Sequence, residues 1–374
     1  MSPGVYLDRP VDPGSAGPAT VAATRGGGPP SWPLATGTGL GPMPGHDIDE
    51  AIRAVTGELP ELPFLPQLPD RGVGADMAGR AIAMLVDIWG EVVPSGWRVS
   101  RRPASDGQRA KDFLARDLDA LEVHAHGAPA LKLQVCGPWT LGALLEVPAG
   151  HRIITDHGAS RDLASSLAEG IAAHVAQCRS RLPGTDIFVQ IDEPMLSAVV
   201  GGTLPTASGL TTVHPIDPSV VRDQLIGLLA ALPGVPTVAN GGRSRVPFEI
   251  FAAVGFDAIR VDFAQLGRTA AELDPIGEAL SNGGVLLGGV IPTSPPAPHT
   301  ADLTLAERAR PITEPLRALG FSAATIAHQV IPTPSGALDK TTVEWATEAL
   351  RLSRDVGRLL GEGADDTAGT EHQH

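Results

Sequence analysis

"DIFVQIDEPML", residues 186–196, decides how the chain is to be read. Apolar residues lead up to Gln190 and Ile191, the carboxylates Asp192 and Glu193 follow side by side, and Pro194 comes next. Ionised carboxylates are costly to bury without partners. A strand that ends on two of them therefore belongs where it opens into a pocket. In parallel α/β barrels the chemistry sits at the C-terminal ends of the strands.

Outward from this stretch the pattern alternates. "LKLQVCGP" (131–138) reads as a strand, and the segment between it and Asp186 carries a helix with apolar residues at 163, 167, 171 and 175. "PSVVRDQLIGLLAAL" (218–232) is a helix opened by Pro and Ser. "VPTVAN" (235–240) is a strand, "VPFEIFAAVG" (246–255) a short helix closed by Gly255, and "FDAIRVDF" (256–263) another strand. "TAAELDPIGEALSNG" (269–283) predicts a helix interrupted near Pro275, and "GVLLGGVIPT" (284–293) a strand. "TLAERARPITEPLRALG" (304–320) predicts a helical region, "SAATIAHQVIPTPSG" (322–336) a strand and loop, and "TTVEWATEALRLSRDVGRLL" (341–360) a last helix.

Such alternation implies a parallel sheet, and the count of units predicts a TIM-like (β/α)8 barrel over an open doubly wound sheet. No GxGxxG turn follows an early strand. Residues 1–33 are rich in Pro, Gly, Ser, Ala and Thr and read as a disordered leader; 34–360 form the barrel; 361–374 read as a disordered tail. On this reading the strand ends deliver Cys136, Asp192, Asn240, Asp262, Thr293 and His328 with Gln329 to the mouth.

Bulk properties exclude several function classes. A net charge of −14 argues against a nucleic-acid backbone or an anionic membrane as partner, and leaves a small-molecule substrate. The chain has 2 cysteines, Cys136 and Cys178, too few for a disulfide framework, and with no visible signal peptide or membrane-spanning run a cytoplasmic setting is expected. The sequence says nothing of oligomeric state.

Five stretches resemble one family. "GTGLGPMPG" (37–45), "RGVGADMAGRA" (71–81), "VCGPWTL" (135–141), "VQIDEPML" (189–196) and "TPSGALDKTTVEWATEALRLSRD" (333–355) are similar, in order, to the C-terminal catalytic half of cobalamin-independent methionine synthase. The resemblance implies a barrel related to the uroporphyrinogen decarboxylase fold. It also implies transfer of a methyl group from 5-methyltetrahydrofolate to the thiol of homocysteine, with the thiol held on zinc. The ligands so implied are a His-x-Cys pair after one strand, a Glu after the next, and a Cys before a Gly near the last. This chain departs at each: "ANGGRSRVP" (239–247) has neither His nor Cys, Asp262 stands for the Glu, and Ser335 precedes Gly336. Zinc prefers Cys, His and carboxylate, so no metal site is expected, and the folate is the cofactor the resemblance leaves.

By the same resemblance Asp192 binds a substrate ammonium and Asp76 is a further acid of the pocket. Pro42 replaces the Ser of a G-S-x-P turn. Asp262 and Asn240 line the former metal position, with Ser335 at the lost Cys. Arg243, with Arg245, forms either an anion clamp or a solvated basic loop. Glu193 either touches substrate or pairs and caps structurally. His328 and His214 are candidate acid–base groups or rim residues. Trp32 and Trp139 stack on a flat ring or pack in the core. Three functions follow: zinc-free group transfer of the methionine synthase type, a metal-free decarboxylase or lyase, or a non-catalytic ligand-binding homologue.

Overall fold

The computed structural model describes residues 31–371 apart from 207–208, 243–246 and 298–302. Its centre is a curled sheet of six parallel strands in the order β3-β5-β6-β7-β8-β9. These are β3 (Ala130–Cys136), β5 (Asp186–Asp192), β6 (Thr237–Asn240), β7 (Ala258–Asp262), β8 (Val285–Ile291) and β9 (Val330–Pro334). A side sheet holds β1 (Trp89–Val93), β2 (Gly96–Ser100) and the two-residue β4 (Leu145–Glu146). Helices α1 (Ile48–Glu58), α2 (Met77–Met84) and α3 (Ser105–His124) precede β3. Between β3 and β6 come α4 (Pro138–Leu144), α5 (His157–Arg181), α6 (Leu196–Gly201) and α7 (Pro218–Ala230). Next come α8 (Phe248–Val254), α9 (Ala270–Ser281), α10 (Leu305–Ala318), α11 (Ala323–Gln329) and α12 (Val343–Glu371).

Parallel strands covered on both faces read as apolar runs, and here the two faces divide the work by the period of two. Leu131, Leu133, Val135, Ile187, Val189 and Ile191 join the core under α2–α5 and α7. Their alternates Ala130, Phe188, Val238 and Ala258 point the other way and pack with Val285, Leu287 and Ile331. Trp32 and Leu62 complete that inner cluster, with Trp32 tilted at 49° against Phe188 and ring centroids 4.8 Å apart. The N-terminal end of the curled sheet is thus plugged with apolar side chains, and Trp32 serves the plug.

Backbone hydrogen bonds continue past both edges of the sheet. Thr38 N donates to Pro332 O on β9 (3.1 Å), and Gln67 N donates to Gly41 O (2.9 Å) while Met43 N donates to Gln67 O (2.8 Å). Leu65 N donates to Lys132 O (3.1 Å) on β3, and Lys132 N to Pro63 O (2.9 Å).

Three elements differ from the sequence reading. "SAATIAHQ" is helix α11: the Ser322 hydroxyl accepts from Thr325 N at 3.0 Å, an N-cap that outweighs the strand preference of Thr325 and Ile326. Helix α9 runs unbroken through Pro275, because Ile276 and Leu280 are buried against the core and offset a proline cost of about 3 kcal/mol. The last helix, α12, continues past Gly361 to Glu371, where a disordered tail was expected. Residues 1–30 and 372–374 of the expected leader and tail lie outside the described residues. No helix among the described residues is long and apolar enough to cross a membrane.

Candidate functional site at the C-terminal rim of the sheet

Register places Cys136 beside Asp192 and Asp192 beside Asn240. Asp192 is 2% exposed. Its Oδ1 accepts from Gln190 Nε2 and from Asn240 Nδ2, both at 2.7 Å. Each donor is itself fixed. Gln190 Oε1 accepts from Lys132 Nζ at 2.7 Å, and its Nε2 also reaches Leu40 O at 3.1 Å. Asn240 Oδ1 accepts from Gly242 N at 3.0 Å. The side chain of Asp192 is therefore locked, and no donor among the described residues reaches its second oxygen, Oδ2.

Electrostatics follow from this burial. Desolvation pushes the Asp192 carboxyl up to about 6, against the hydrogen bonds from Gln190 and Asn240 and the charges of Lys132 and Arg260. Lys132, wholly enclosed, is lowered to about 7 by desolvation, with Asp192 opposing. Two groups with opposite burial penalties, linked through one amide, are the pattern expected of a functional site. Cys136 is pushed well up by burial and then by the charges of Glu193, Asp192 and Asp76. It stays a thiol and packs among the outer core residues.

Glu193 has a different task. Its carboxylate accepts from Trp139 N (2.9 Å) and Thr140 N (2.7 Å), the free amides that open α4. Gly137 makes this possible, since a β-carbon there would lie 2.3 Å from Glu193 Oε1. Desolvation pushes Glu193 up to about 7. Of the two readings of Glu193 the geometry displays the cap: the side chain is fully enclosed and both oxygens are engaged.

Arg260, on β7, is fully buried under the rim. Its Nη1 donates to Gly242 O at 2.6 Å, its Nη2 to Ser335 O, and Nη2 lies 3.4 Å from Asp262 Oδ2. One guanidinium thus joins the turn after β6, the end of β7 and the end of β9. Asp262 and Ser335 are brought to the rim beside it, Asp262 8% and Ser335 5% exposed.

No family model matches the chain, and no curated protein matches it. Among solved structures it is similar to a B12-independent methionine synthase from Shewanella sp. W3-18-1 in complex with selenomethionine. The TM-score is 0.52 at 13% identity, over 91% of this chain and 100% of that one. The two chains share a fold. A methyltransferase from Methanosarcina mazei superposes with a TM-score of 0.49 at 13% identity, over 86% of this chain and 94% of that one.

Zinc is the metal that the resemblance to the methionine synthase family implies. The three segments that the resemblance assigns to its ligands carry an amide, a carboxylate and a hydroxyl, and a guanidinium is fixed between them. Among the described residues no group of three or more His, Cys, Asp or Glu could hold a metal ion.

The remaining expected residues scatter, apart from Asp76, whose charge reaches Cys136 beside Asp192. Asp76 is the N-cap of α2, accepting from Gly74 N (3.1 Å), Gly79 N (3.3 Å) and Trp97 Nε1 (3.3 Å). His328 lies on α11 at the opposite end of the sheet, just before β9 begins, with Nδ1 bonded to Ala324 O at 2.7 Å. The expectation that a strand end delivers it to the mouth is corrected, because the segment before Val330 is helical. His214 is exposed in the loop before α7, and Trp139 is buried in α4. Arg243 and Arg245 lie outside the described residues. A cavity of about 500 Å³ lies away from the rim, between α5 and α7, with Trp139, Arg161 and Gln224 in its wall.

Lys132, Gln134, Gln190 and Arg260 went unseen as site residues. Their signal was present: "LKLQVC", "FVQID" and "AIRVD" each place a polar residue at every second position of an otherwise apolar strand. Read with a period of two, that pattern means a polar interior.

Proposed function

We propose that the chain is a methyltransferase-like group-transfer enzyme on a closed (β/α)8 barrel that works without zinc. The segments around residues 38–43 and 63–67 supply the two remaining staves. The observation that carries the reading is Asp192: a buried carboxylate with one oxygen locked by Gln190 and Asn240 and the other open, at the rim where barrels of this kind do their chemistry. A side chain held this way orients the ammonium of a small amino-acid-like substrate without losing entropy at the moment of binding. Asn240 fixes the carboxylate. Arg260 stands where the fold's relatives by resemblance keep their metal, and it supplies fixed positive charge and holds Asp262 and Ser335 in place. The methyl donor on this reading is 5-methyltetrahydrofolate.

A decarboxylase reading would need a cation free to face a substrate carboxylate. Among the described residues Arg260 is not such a cation, since its Nη1 and Nη2 go to the carbonyls of Gly242 and Ser335. The test is calorimetric titration of L-methionine into wild type and Asp192→Asn, beside an assay of methyl transfer from 5-methyltetrahydrofolate to the thiol of homocysteine in chelator-treated protein. Binding lost in the variant and transfer that survives chelation support the proposal. Equal binding by both proteins, or transfer abolished by chelation and restored by zinc, sinks it.

A further inference from the structure

The rim holds a second acceptor still in need of a donor. Gln134 lies on β3, 4% exposed, and its Nε2 donates to Lys132 O at 3.0 Å. That bond settles which end of the amide is nitrogen. The other end, Oε1, is buried with no hydrogen-bond partner among the described residues. Buried amide oxygens are almost always paired, so an orphan asks for a donor from outside the protein. Gly41 has φ +115, and a β-carbon on it would stand 3.2 Å from Gln134 Oε1 and 3.0 Å from Gln134 Cγ. Gly41 thus lets the backbone lie directly against this amide, where any β-carbon would crowd it.

Register relates this oxygen to Asp192. Gln134 pairs with Gln190 and Cys136 with Asp192, which makes Gln134 and Asp192 diagonal neighbours two residues apart along the strand direction. On neighbouring strands with this register the two side chains project from one face of the sheet. Lys132, the nearest candidate for an internal donor, gives its bond to Gln190 Oε1 instead. One charged and one neutral acceptor on one face suit a ligand group with positive charge and at least two N–H bonds.

Building on the proposed role of Asp192, we infer that Gln134 is the second acceptor for the substrate's ammonium, and that the site selects primary or singly N-methylated amines over more highly methylated ones. Asp192 supplies the charge and one hydrogen bond; Gln134 counts the remaining hydrogens.

Calorimetry with L-methionine and its N-methyl, N,N-dimethyl and N,N,N-trimethyl derivatives tests this on wild type, Gln134→Met and Asp192→Asn. Wild type is expected to bind the first two comparably and to lose about 10-fold or more at the second methyl, where one of two hydrogen bonds to a charged donor goes. Gln134→Met, similar in size but without the acceptor, is expected to bind L-methionine about 10-fold or more weakly and to show no step at the second methyl. Wild-type affinity in Gln134→Met, with binding lost in Asp192→Asn, overturns the role of Gln134 and leaves that of Asp192 standing. Unchanged binding in Asp192→Asn, or no binding of any amine by wild type, overturns both. Should Gln134→Met fail to fold, the wild-type series decides alone: equal affinity for the mono- and dimethyl forms refutes the inference.

Discussion

Replacing Glu193 by Gln asks whether burial or hydrogen bonding governs the acid that caps α4. The carboxyl is pushed up to about 7 from 4.5 by desolvation, although Trp139 N and Thr140 N both donate to it. A carboxyl whose pKa is higher in the folded than in the unfolded protein stabilises the fold fully only below the unfolded value. That contribution is lost as pH rises from 4.5 through about 7. At about 1.4 kcal/mol per pKa unit the loss is about 3 kcal/mol. Glutamine does not titrate, so the variant lacks this slope. It pays elsewhere, since an amide can accept one of the two N–H groups but turns its own NH2 towards the other, leaving a buried donor unmet for about 1–3 kcal/mol. The variant should therefore be less stable than wild type by about 2 kcal/mol near pH 4.5, and the gap should close or reverse by about pH 8. Urea midpoints at half-unit steps across that range, with the slopes checked for constancy, measure the gap. A gap that stays flat, or widens as pH rises, would show that the helix amides hold the carboxylate as an anion and that desolvation does not win.

Three further outcomes follow from the same geometry. Gly137→Ala puts a carbon within 2.3 Å of Glu193 Oε1 and should cost about 1–3 kcal/mol, read as a fall in thermal midpoint of several degrees; an unchanged midpoint would mean that α4 can shift freely. Arg260→Met strips the guanidinium from Gly242 O, Ser335 O and Asp262, and should destabilise by about 3–5 kcal/mol in denaturant titrations. Lys132→Met removes a cation that lowers the Asp192 pKa, so the acid limb of amine binding, expected near pH 6 in wild type, should move to higher pH in calorimetric profiles; a limb that stays in place disconnects Lys132 from the site.

Much of the sheet was legible because burial on both faces forces apolar runs, and β5 announced its own end with Asp192 and Glu193. The pairing of Asp192 with Asn240 was within reach for the same reason, both being strand-terminal in adjacent units. The partners of Glu193 were not legible. Thr140 lies 53 positions earlier, and no local pattern says that a helix will open there with its amides facing this carboxylate. Arg260 is the same case, because its contact with Ser335 spans 75 positions and exists only once the sheet has curled. His328 failed differently. Its segment has strand-forming residues, and the cap supplied by Ser322 decided in favour of helix.

The interior of the sheet is graded in polarity, and the gradient has an electrostatic logic. Apolar residues fill the N-terminal end, and above them the two buried cations, Lys132 and Arg260, reach upwards towards the rim. Neither meets solvent, so each depends on the carboxylates and carbonyls above it. Both cations also lower the cost of ionising Asp192. The arrangement stores a carboxylate that is held short of full ionisation by burial and released to it by charge. On the proposed role of Asp192, an ammonium arriving at the rim would add the one favourable interaction that tips it to its anionic form, and would take the open oxygen as its partner. Binding should then release protons to the buffer at pH 5–6, near the raised pKa of Asp192 at about 6, and release almost none at pH 8. Calorimetric titrations in buffers of different ionisation enthalpy would expose this difference. Proton release that is absent at both pH values would mean that the carboxylate is already charged in the empty site, and the gradient would have no bearing on binding.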